Sequence, residues 1–270
     1  MIRPLLVLLA ALVLVAGCGG EDDGERSPQE RLDAVLPDYE RAVEDQDCAA
    51  FARFAHSQVR AAGRGVDDPP DAAECRNLGF SYTRLMGFEA DRSRVFGSAA
   101  IVEGRIAGQL MALVWVVDVD GRWKQVQATP PGIVPQIGGE QRPGNRFAPN
   151  AAAWVAAMRS GDCRGVFRLL NTASPFLSDR PRDQRGFCSR FRETVDRPDR
   201  LAGQLARAPS AKTVDLGGTR DFHFFRIDTG GGRRWTLILS TLPPTVDNTG
   251  HLQDSVLDYY RTGDPENGEQ

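Results

Sequence analysis

Histidine and lysine are scarce in this chain of 270 residues. His56, His223 and His251 are the only histidines, which leaves little material for a histidine-rich metal centre. Lys124 and Lys212 are the only lysines, so 33 − 2 = 31 of the basic residues are arginines, against 36 acidic residues. Such a balance gives no strongly basic surface, and we expect no nucleic-acid partner.

Long apolar runs are also missing. The longest, residues 5–16, has twelve uncharged apolar residues, whereas a membrane-spanning helix needs about 20. Arg3 precedes the run, as in a secretory signal, and Leu14-Val15-Ala16-Gly17-Cys18 follows, which resembles the lipobox of bacterial lipoproteins. The resemblance implies a signal peptide at 1–17, an acylated (palmitate-type) Cys18 and a lipid-anchored protein on the extracytoplasmic face of the cell membrane. An ordinary cleaved signal with a free Cys18 is the alternative.

A pattern of aromatic, aspartate and cysteine residues occurs twice after this leader. Five residues of the first copy have counterparts 115 positions later: Tyr39, Asp47, Cys48, Phe51 and Phe54 match Trp154, Asp162, Cys163, Val166 and Leu169. The repeat predicts two domains of one fold, since 270 residues suffice for two cores. We assign a flexible tether to 18–26, a first domain to 27–131, a Gly/Pro-rich linker to 132–149, a second domain to 150–243 and a tail to 244–270.

Each domain begins with helices and continues with strands. Ser27 and Glu30 have the spacing of a capping box, and Asp47 and Asp162 stand where N-caps are expected, directly before apolar helical stripes. Strand patterns follow, at 93–96, 99–106, 109–119 and 122–128 in the first domain and at 212–216, 221–228 and 233–241 in the second. A small amphipathic piece at 255–260 lies within an otherwise polar tail.

The strand pattern at 110–117 is apolar at every position. Because alternate side chains of a strand point to opposite faces, both faces of this strand must be covered. A helix layer, the other domain or a second subunit would pack on the second face of the strand.

Four cysteines remain when Cys18 is set aside, and they allow three pairings. Repeat symmetry selects two disulfides, Cys48 with Cys75 and Cys163 with Cys188, and an exported location would permit their oxidation. A zinc site or free core thiols are the alternatives, although no C-x-x-C pair is present.

The order of elements resembles the nuclear transport factor 2-like, or ketosteroid isomerase-like, cone. Two or three helices precede a curved antiparallel sheet in each copy, and Gly161-Asp162-Cys163 opens a helix as in actinobacterial-type lipoproteins of this kind. The resemblance implies an α+β fold of two tandem cones, each with a cavity between helices and sheet.

Catalytic candidates are few. Enzymes with this cone place an aspartate beside a histidine, tyrosine or second acid in the cavity, and His223, with Asp221 or Asp228, is the weak candidate here. Tyr39 and Trp154 lie on apolar stripes and are expected in the cores. The sequence has no nucleophile elbow, metal-ligand cluster or dinucleotide loop, and we expect no cofactor and no metal.

Two functional hypotheses follow. The first is a non-catalytic envelope lipoprotein that binds an apolar small molecule or another envelope protein. The second is an isomerase, dehydratase or cyclase-type enzyme that uses the second cone. A carboxylate within hydrogen-bond reach of His223 inside an apolar cavity would favour the enzyme, whereas cavities filled by Trp and Phe side chains would favour binding or assembly.

Overall fold

The structure, a computed structural model, describes residues 26–58, 60, 69–129, 146–170, 184–241 and 255–263. The leader 1–17, Cys18, His251 and nearly all of the expected tether and linker lie outside the described residues. Within them the fold is α+β, with two four-stranded antiparallel sheets, each preceded in the chain by helices. We call the described residues within 26–129 the first half and the described residues within 146–263 the second half, and every count of elements below refers to these residues.

The first half has three helices and one sheet. A complete capping box starts its first helix, where Ser27 and Glu30 exchange bonds as the sequence predicts. The elements are α1 (Pro28–Glu44), α2 (Cys48–Ala52), α3 (Ala72–Thr83), β1 (Glu89–Phe96), β2 (Ala99–Ile106), β3 (Gln109–Val117) and β4 (Trp123–Ala128), and the strands pair in chain order.

The second half repeats this order with one helix more than expected. Its elements are α4 (Ala148–Ser160), α5 (Cys163–Leu169), α6 (Gln184–Val195), α7 (Leu201–Arg207), β5 (Lys212–Gly218), β6 (Phe222–Gly230), β7 (Arg233–Ser240) and β8 (Ser255–Thr262). The additional helix α7 is short, and Leu201 and Leu205, one turn apart, are both fully buried. This spacing is too brief to stand out as a periodic pattern in the sequence.

Strand β8 lies in the segment that the sequence analysis assigns to the tail. It pairs antiparallel with β7 and forms the edge of the second sheet. Every residue from Ser255 to Asp258 is buried, as are Tyr260 and Thr262. Burial on both faces removes the alternation that marks a strand in sequence, so the segment reads as a small amphipathic piece in a polar tail.

The two sheets pack face to face, with helices on their outer faces. The outer cores place Trp115 of β3 against the first-half helices and Leu237 of β7 against the second-half helices. An inner core between the sheets contains Phe96, Ala99, Ile101, Ala112, Val114 and Val116 from the first half and Phe222, Phe224, Ile238, Leu257 and Tyr260 from the second. The second cover that β3 requires is therefore the sheet of the other half.

The two halves share local features at the repeat offset. Asp47 accepts hydrogen bonds from the Ala49 and Ala50 amides, and Asp162 accepts from those of Arg164 and Gly165, so both aspartates cap helices as predicted. Isolated parallel bridges join Ala55 to Gln125 and Leu170 to Val256, and 170 − 55 is again 115. In each half the segment after the second helix thus covers the free edge of the last strand.

The cysteines lie in the pairs that repeat symmetry predicts. Cys48 and Cys75 are at disulfide distance with Cα atoms 5.6 Å apart, and Cys163 and Cys188 with Cα atoms 5.1 Å apart. Each pair ties the second helix of its half to the next one. Closing loops of 27 and 25 residues is worth about 3 to 4 kcal/mol each in the chain-entropy model.

Candidate functional site

His223 meets a carboxylate, although not one of its expected partners. Its Nε2 lies 2.6 Å from Oδ1 of Asp215 on the neighbouring strand β5. The Asp221 carboxylate lies 3.4 Å from the Thr241 hydroxyl, and that of Asp228 pairs with Arg226 at 3.0 Å. Antiparallel pairing with a bulge in β5 brings Asp215 to His223, a contact that the sequence does not reveal.

The His223–Asp215 pair joins β6 to β5, the edge strand of the second sheet. The Asp215 side chain is 45% exposed, and the His223 ring stacks on Phe147 with centroids 5.4 Å apart. Neither residue lines the cavity described below. The pair therefore lacks the enclosed, apolar setting that would favour a catalytic dyad.

Aromatic side chains fill the interior of the first half. The Tyr39 ring lies 5.8, 5.5 and 4.9 Å, centroid to centroid, from Phe51, Phe54 and Trp115. Tyr39 and Trp115 are fully buried, and burial raises the pKa of the Tyr39 hydroxyl. This packing agrees with the expectation that Tyr39 is a core residue.

The second half instead encloses a cavity of about 260 Å³ between its helices and β8. Its walls are aromatic and aliphatic, and its mouth is charged. The lining residues are Trp154, Met158, Val166, Leu170, Phe187, Arg190, Phe191, Glu193, Thr194, Arg197, Arg200 and Tyr259.

The repeat relates this cavity to a difference in side-chain size between the two halves. Phe51 of the first half corresponds to Val166, which lines the cavity. Replacing a phenylalanine by a valine removes the volume of a ring, and close-packed interiors do not recover such volume fully. The difference between Phe51 and Val166 was visible in the sequence and was the signal that could have located the cavity.

Trp154, which lines this cavity, carries an unsatisfied donor. Its side chain is fully buried, and its indole Nε1 has no hydrogen-bond partner among the described residues. The nearby Trp235 differs, because its Nε1 donates to Oε1 of Gln204 at 2.9 Å. A buried donor without an acceptor costs about 1 to 3 kcal/mol. The Tyr39 hydroxyl and the Trp115 Nε1 of the first half are also buried without a partner among the described residues.

Arginines dominate the mouth of the cavity. Arg190, Arg197 and Arg200 are exposed there, with Glu193 as the carboxylate of the lining. Arg197 donates to Oδ2 of Asp199 at 2.8 Å, and Nε of Arg200 lies 3.5 Å from the same oxygen. The hydrogen bond from Arg197 lowers the pKa of Asp199.

A buried histidine that the sequence analysis did not single out joins the two halves. His56 is fully buried; its Nδ1 accepts from the Gln58 amide at 3.1 Å, and its Nε2 lies 3.0 Å from the carbonyl oxygen of Arg261. The Asp118 carboxylate is 3.3 Å from the same Nε2. Burial lowers the pKa of His56, and the charge of Asp118 opposes this effect.

Ser57, His56 and Asp118 have the residue types of a catalytic triad but a different arrangement. The Ser57 hydroxyl donates directly to Asp118 Oδ1 at 2.8 Å instead of to the imidazole. The His56 and Asp118 side chains are both fully buried. A serine bonded to the acid cannot be activated by the histidine, so this cluster fits a structural role.

A second buried acid lies between the sheets. Asp258 accepts from the Tyr260 hydroxyl and from the Tyr259 amide at 2.8 Å, while the Gln127 amide of the first half reaches it at 3.4 Å. Burial raises the pKa of Asp258 to about 7, and it also raises that of Tyr260. The pair belongs to the junction of the halves and lies outside the cavity lining.

The described ranges contain no group of three or more His, Cys, Asp or Glu residues that could hold a metal ion. The helices of those ranges are all too short or too polar to cross a bilayer. Comparisons with protein-family models, with curated proteins and with solved structures find no match for this chain.

Proposed function

We propose that this protein is a non-catalytic, membrane-anchored lipoprotein of the bacterial cell envelope whose second half binds a small, largely apolar molecule. The observation that carries the binding role is a cavity of about 260 Å³ with aromatic and aliphatic walls, one of which is Trp154, whose buried N–H has no partner among the described residues. Apolar walls with a few convergent polar groups are the usual construction of a ligand site.

The fold proposed for both halves is the nuclear transport factor 2-like cone. Each half runs from helices into four antiparallel strands, and in the second half a cavity lies between the helices and the sheet, as in a cone. The first half, filled by Tyr39, Phe51, Phe54 and Trp115, takes the role of a scaffold for the second sheet.

Export and anchoring rest on the lipobox-like residues that end at Cys18. Two cysteine pairs at disulfide distance support an oxidising location, because disulfides are rare in the cytosol. Together they support a protein held on the outer side of the cell membrane by its lipid.

Binding is favoured over catalysis by where the titratable groups lie. The isomerase, dehydratase or cyclase hypothesis requires His223 and a carboxylate within an apolar cavity. His223 instead meets Asp215, whose side chain is 45% exposed, and neither residue lines the cavity. The lining carboxylate, Glu193, is exposed at the mouth and does not lie among the apolar walls, where a base would have to meet an inserted substrate.

The test uses 2-naphthol, a neutral molecule that fits the cavity's size and carries one hydroxyl oxygen. Isothermal titration should show binding, and Trp154→Phe should weaken it about three- to tenfold through loss of one hydrogen bond. Trp235→Phe is the matched control, since the Trp235 N–H already has its acceptor. No binding of 2-naphthol, or equal effects of both substitutions, would contradict the proposal.

A further inference from the structure

We infer that the second-half cavity selects anions, and that its ligand is a small amphipathic acid whose apolar body enters the cavity while its carboxylate remains at the arginine-lined mouth. This inference rests on the proposed binding function and names the ligand class of the same site.

The cavity limits the size of the ligand. About 260 Å³ is close to the lower end of the range for small-molecule sites, roughly 300 to 1,000 Å³. That volume admits one or two fused rings and excludes a long acyl chain. The buried walls, from Trp154, Met158, Phe187 and Phe191, favour a flat apolar body through ring contacts.

The interior sets the polarity of the inserted end. Trp154 lines the interior and its indole can only donate, so an inserted end with an acceptor such as a hydroxyl, ether or carbonyl oxygen suits this wall. A carboxylate would not enter that far, because removing an ion from water costs much more than one neutral hydrogen bond returns. The charged end of the ligand therefore faces outward.

The mouth carries a surplus of positive charge for that outward end. Arg190 has no ion-pair partner in the described part of the chain, and Arg197 and Arg200 share a single carboxylate, Asp199. With Glu193 counted as well, three guanidinium groups face two carboxylates. An arginine guanidinium binds a carboxylate in a bidentate pair of hydrogen bonds, which suits a ligand with one acid group at the opening.

A second arginine-rich pocket provides the comparison. Arg164, Arg185 and Arg192 line it beside Cys163 and Cys188, and its described lining contains no aromatic or aliphatic wall. It could attract an anion but could not hold an apolar body. Arg192 lies two residues from Arg190 on the same helix, so its substitution changes the helix's charge equally while leaving the proposed mouth intact.

The experiment compares 6-hydroxy-2-naphthoate with its neutral isostere 6-hydroxy-2-naphthamide on the purified full-length protein as the host exports it. Isothermal titration at pH 7.5 and low salt should give an affinity for the acid at least about tenfold above that for the amide. The double substitution Arg190→Gln and Arg197→Gln should reduce this ratio to near one, because acid binding weakens much more than amide binding. Arg192→Gln should preserve the ratio.

The dependence of affinity on salt concentration tests the inference without a variant. Acid binding should weaken several-fold when salt is raised from about 50 to 500 mM, while amide binding stays constant, because exposed charges are screened. Equal affinity for acid and amide, insensitive to salt and to the arginine substitutions, overturns the inference but leaves the binding function standing. If the acid, the amide and 2-naphthol all fail to bind, the proposed function itself fails.

Discussion

The imidazole of His56 donates a hydrogen bond from Nε2 to the carbonyl oxygen of Arg261 at 3.0 Å, across 205 positions of the chain. The Gln58 amide donates to Nδ1, which assigns the ring proton to Nε2. One buried histidine thereby connects the segment after α2 to the last strand of the second half. The ring also packs on Tyr260, with centroids 4.9 Å apart.

We expect His56→Ala to lower the free energy of unfolding by about 2 to 4 kcal/mol at pH 8, because it opens a cavity and removes a buried bond. Burial lowers the pKa of His56 in the folded protein, which keeps the ring neutral. As the pH falls below about 6.5, the pKa of a histidine in the unfolded chain, the unfolded chain takes up a proton before the folded protein does. The wild type should therefore lose stability in this pH range. The penalty of the substitution should therefore be smaller at pH 5. Urea unfolding at both pH values measures this, with His223→Ala, whose side chain is 12% exposed, as the comparison; a constant penalty would contradict it.

Asp258→Asn should stabilise the protein above pH 7 and not at pH 4. The pKa of Asp258 is raised to about 7 in the folded state, so the folded protein retains a proton that the unfolded chain releases near 3.8. The wild type therefore loses stability from this group as pH rises from about 4 to about 7, by up to about 4 kcal/mol. An asparagine does not titrate and should recover about 1 to 3 kcal/mol at pH 8. Urea unfolding at pH 4 and 8 tests the difference, and a gain equal at both would speak against a protonated Asp258.

Val166→Phe should close the ligand cavity. The substitution reproduces Phe51 of the first half, and the enclosed space leaves room for the ring. We expect 2-naphthol affinity to drop more than about tenfold while stability is kept or rises by about 1 kcal/mol, since a void is filled. Calorimetric titration and thermal unfolding check both parts. Val155→Ile, in the same core but outside the cavity lining, is the control; unchanged affinity in Val166→Phe would place the ligand elsewhere.

The cysteine pairs should appear as two disulfides within the halves. Non-reducing peptide mapping is expected to recover Cys48 linked to Cys75 and Cys163 linked to Cys188. Serine at both members of either pair should cost about 3 kcal/mol in denaturant unfolding. A peptide joining cysteines of different halves would refute the repeat-based pairing.

Mass spectrometry of the membrane-extracted protein should find Cys18 as the first residue, carrying acyl groups. Cys18→Ser should release the protein from the membrane fraction, because the variant lacks the cysteine to which the anchoring lipid would be attached. An intact leader, or a mature chain with an unmodified Cys18, would exclude the lipoprotein proposal.

Local signals made part of this structure predictable from the sequence. The capping box at Ser27, the caps at Asp47 and Asp162 and the cysteine pairing depend on residues close in the chain or on the repeat. The apolar run of β3 also predicted that both faces of this strand are buried. Only the structure identifies the layer on its second face as the other sheet. Most strands fall within a few residues of their expected ends.

The contacts between distant segments could not be predicted in this way. His56 reaches Arg261 and Asp118 only because the sheets pack face to face, and no local pattern encodes that packing. Asp215 reaches His223 through strand register and a bulge. Strand β8 was missed because it is buried on both faces and follows a long polar stretch.

The position of β8 in the chain has a consequence for folding. Gly263 donates to the carbonyl oxygen of Val117 at 3.3 Å, and Gln58 bonds to Tyr259 and Arg261, so residues of the first half depend on partners in and directly after β8. A chain cut short before Ser255 would leave the edge of β7 unpaired and the space between the sheets open to water. Completion of the inner core therefore requires β8, so a chain that lacks this strand should be more open to proteolysis.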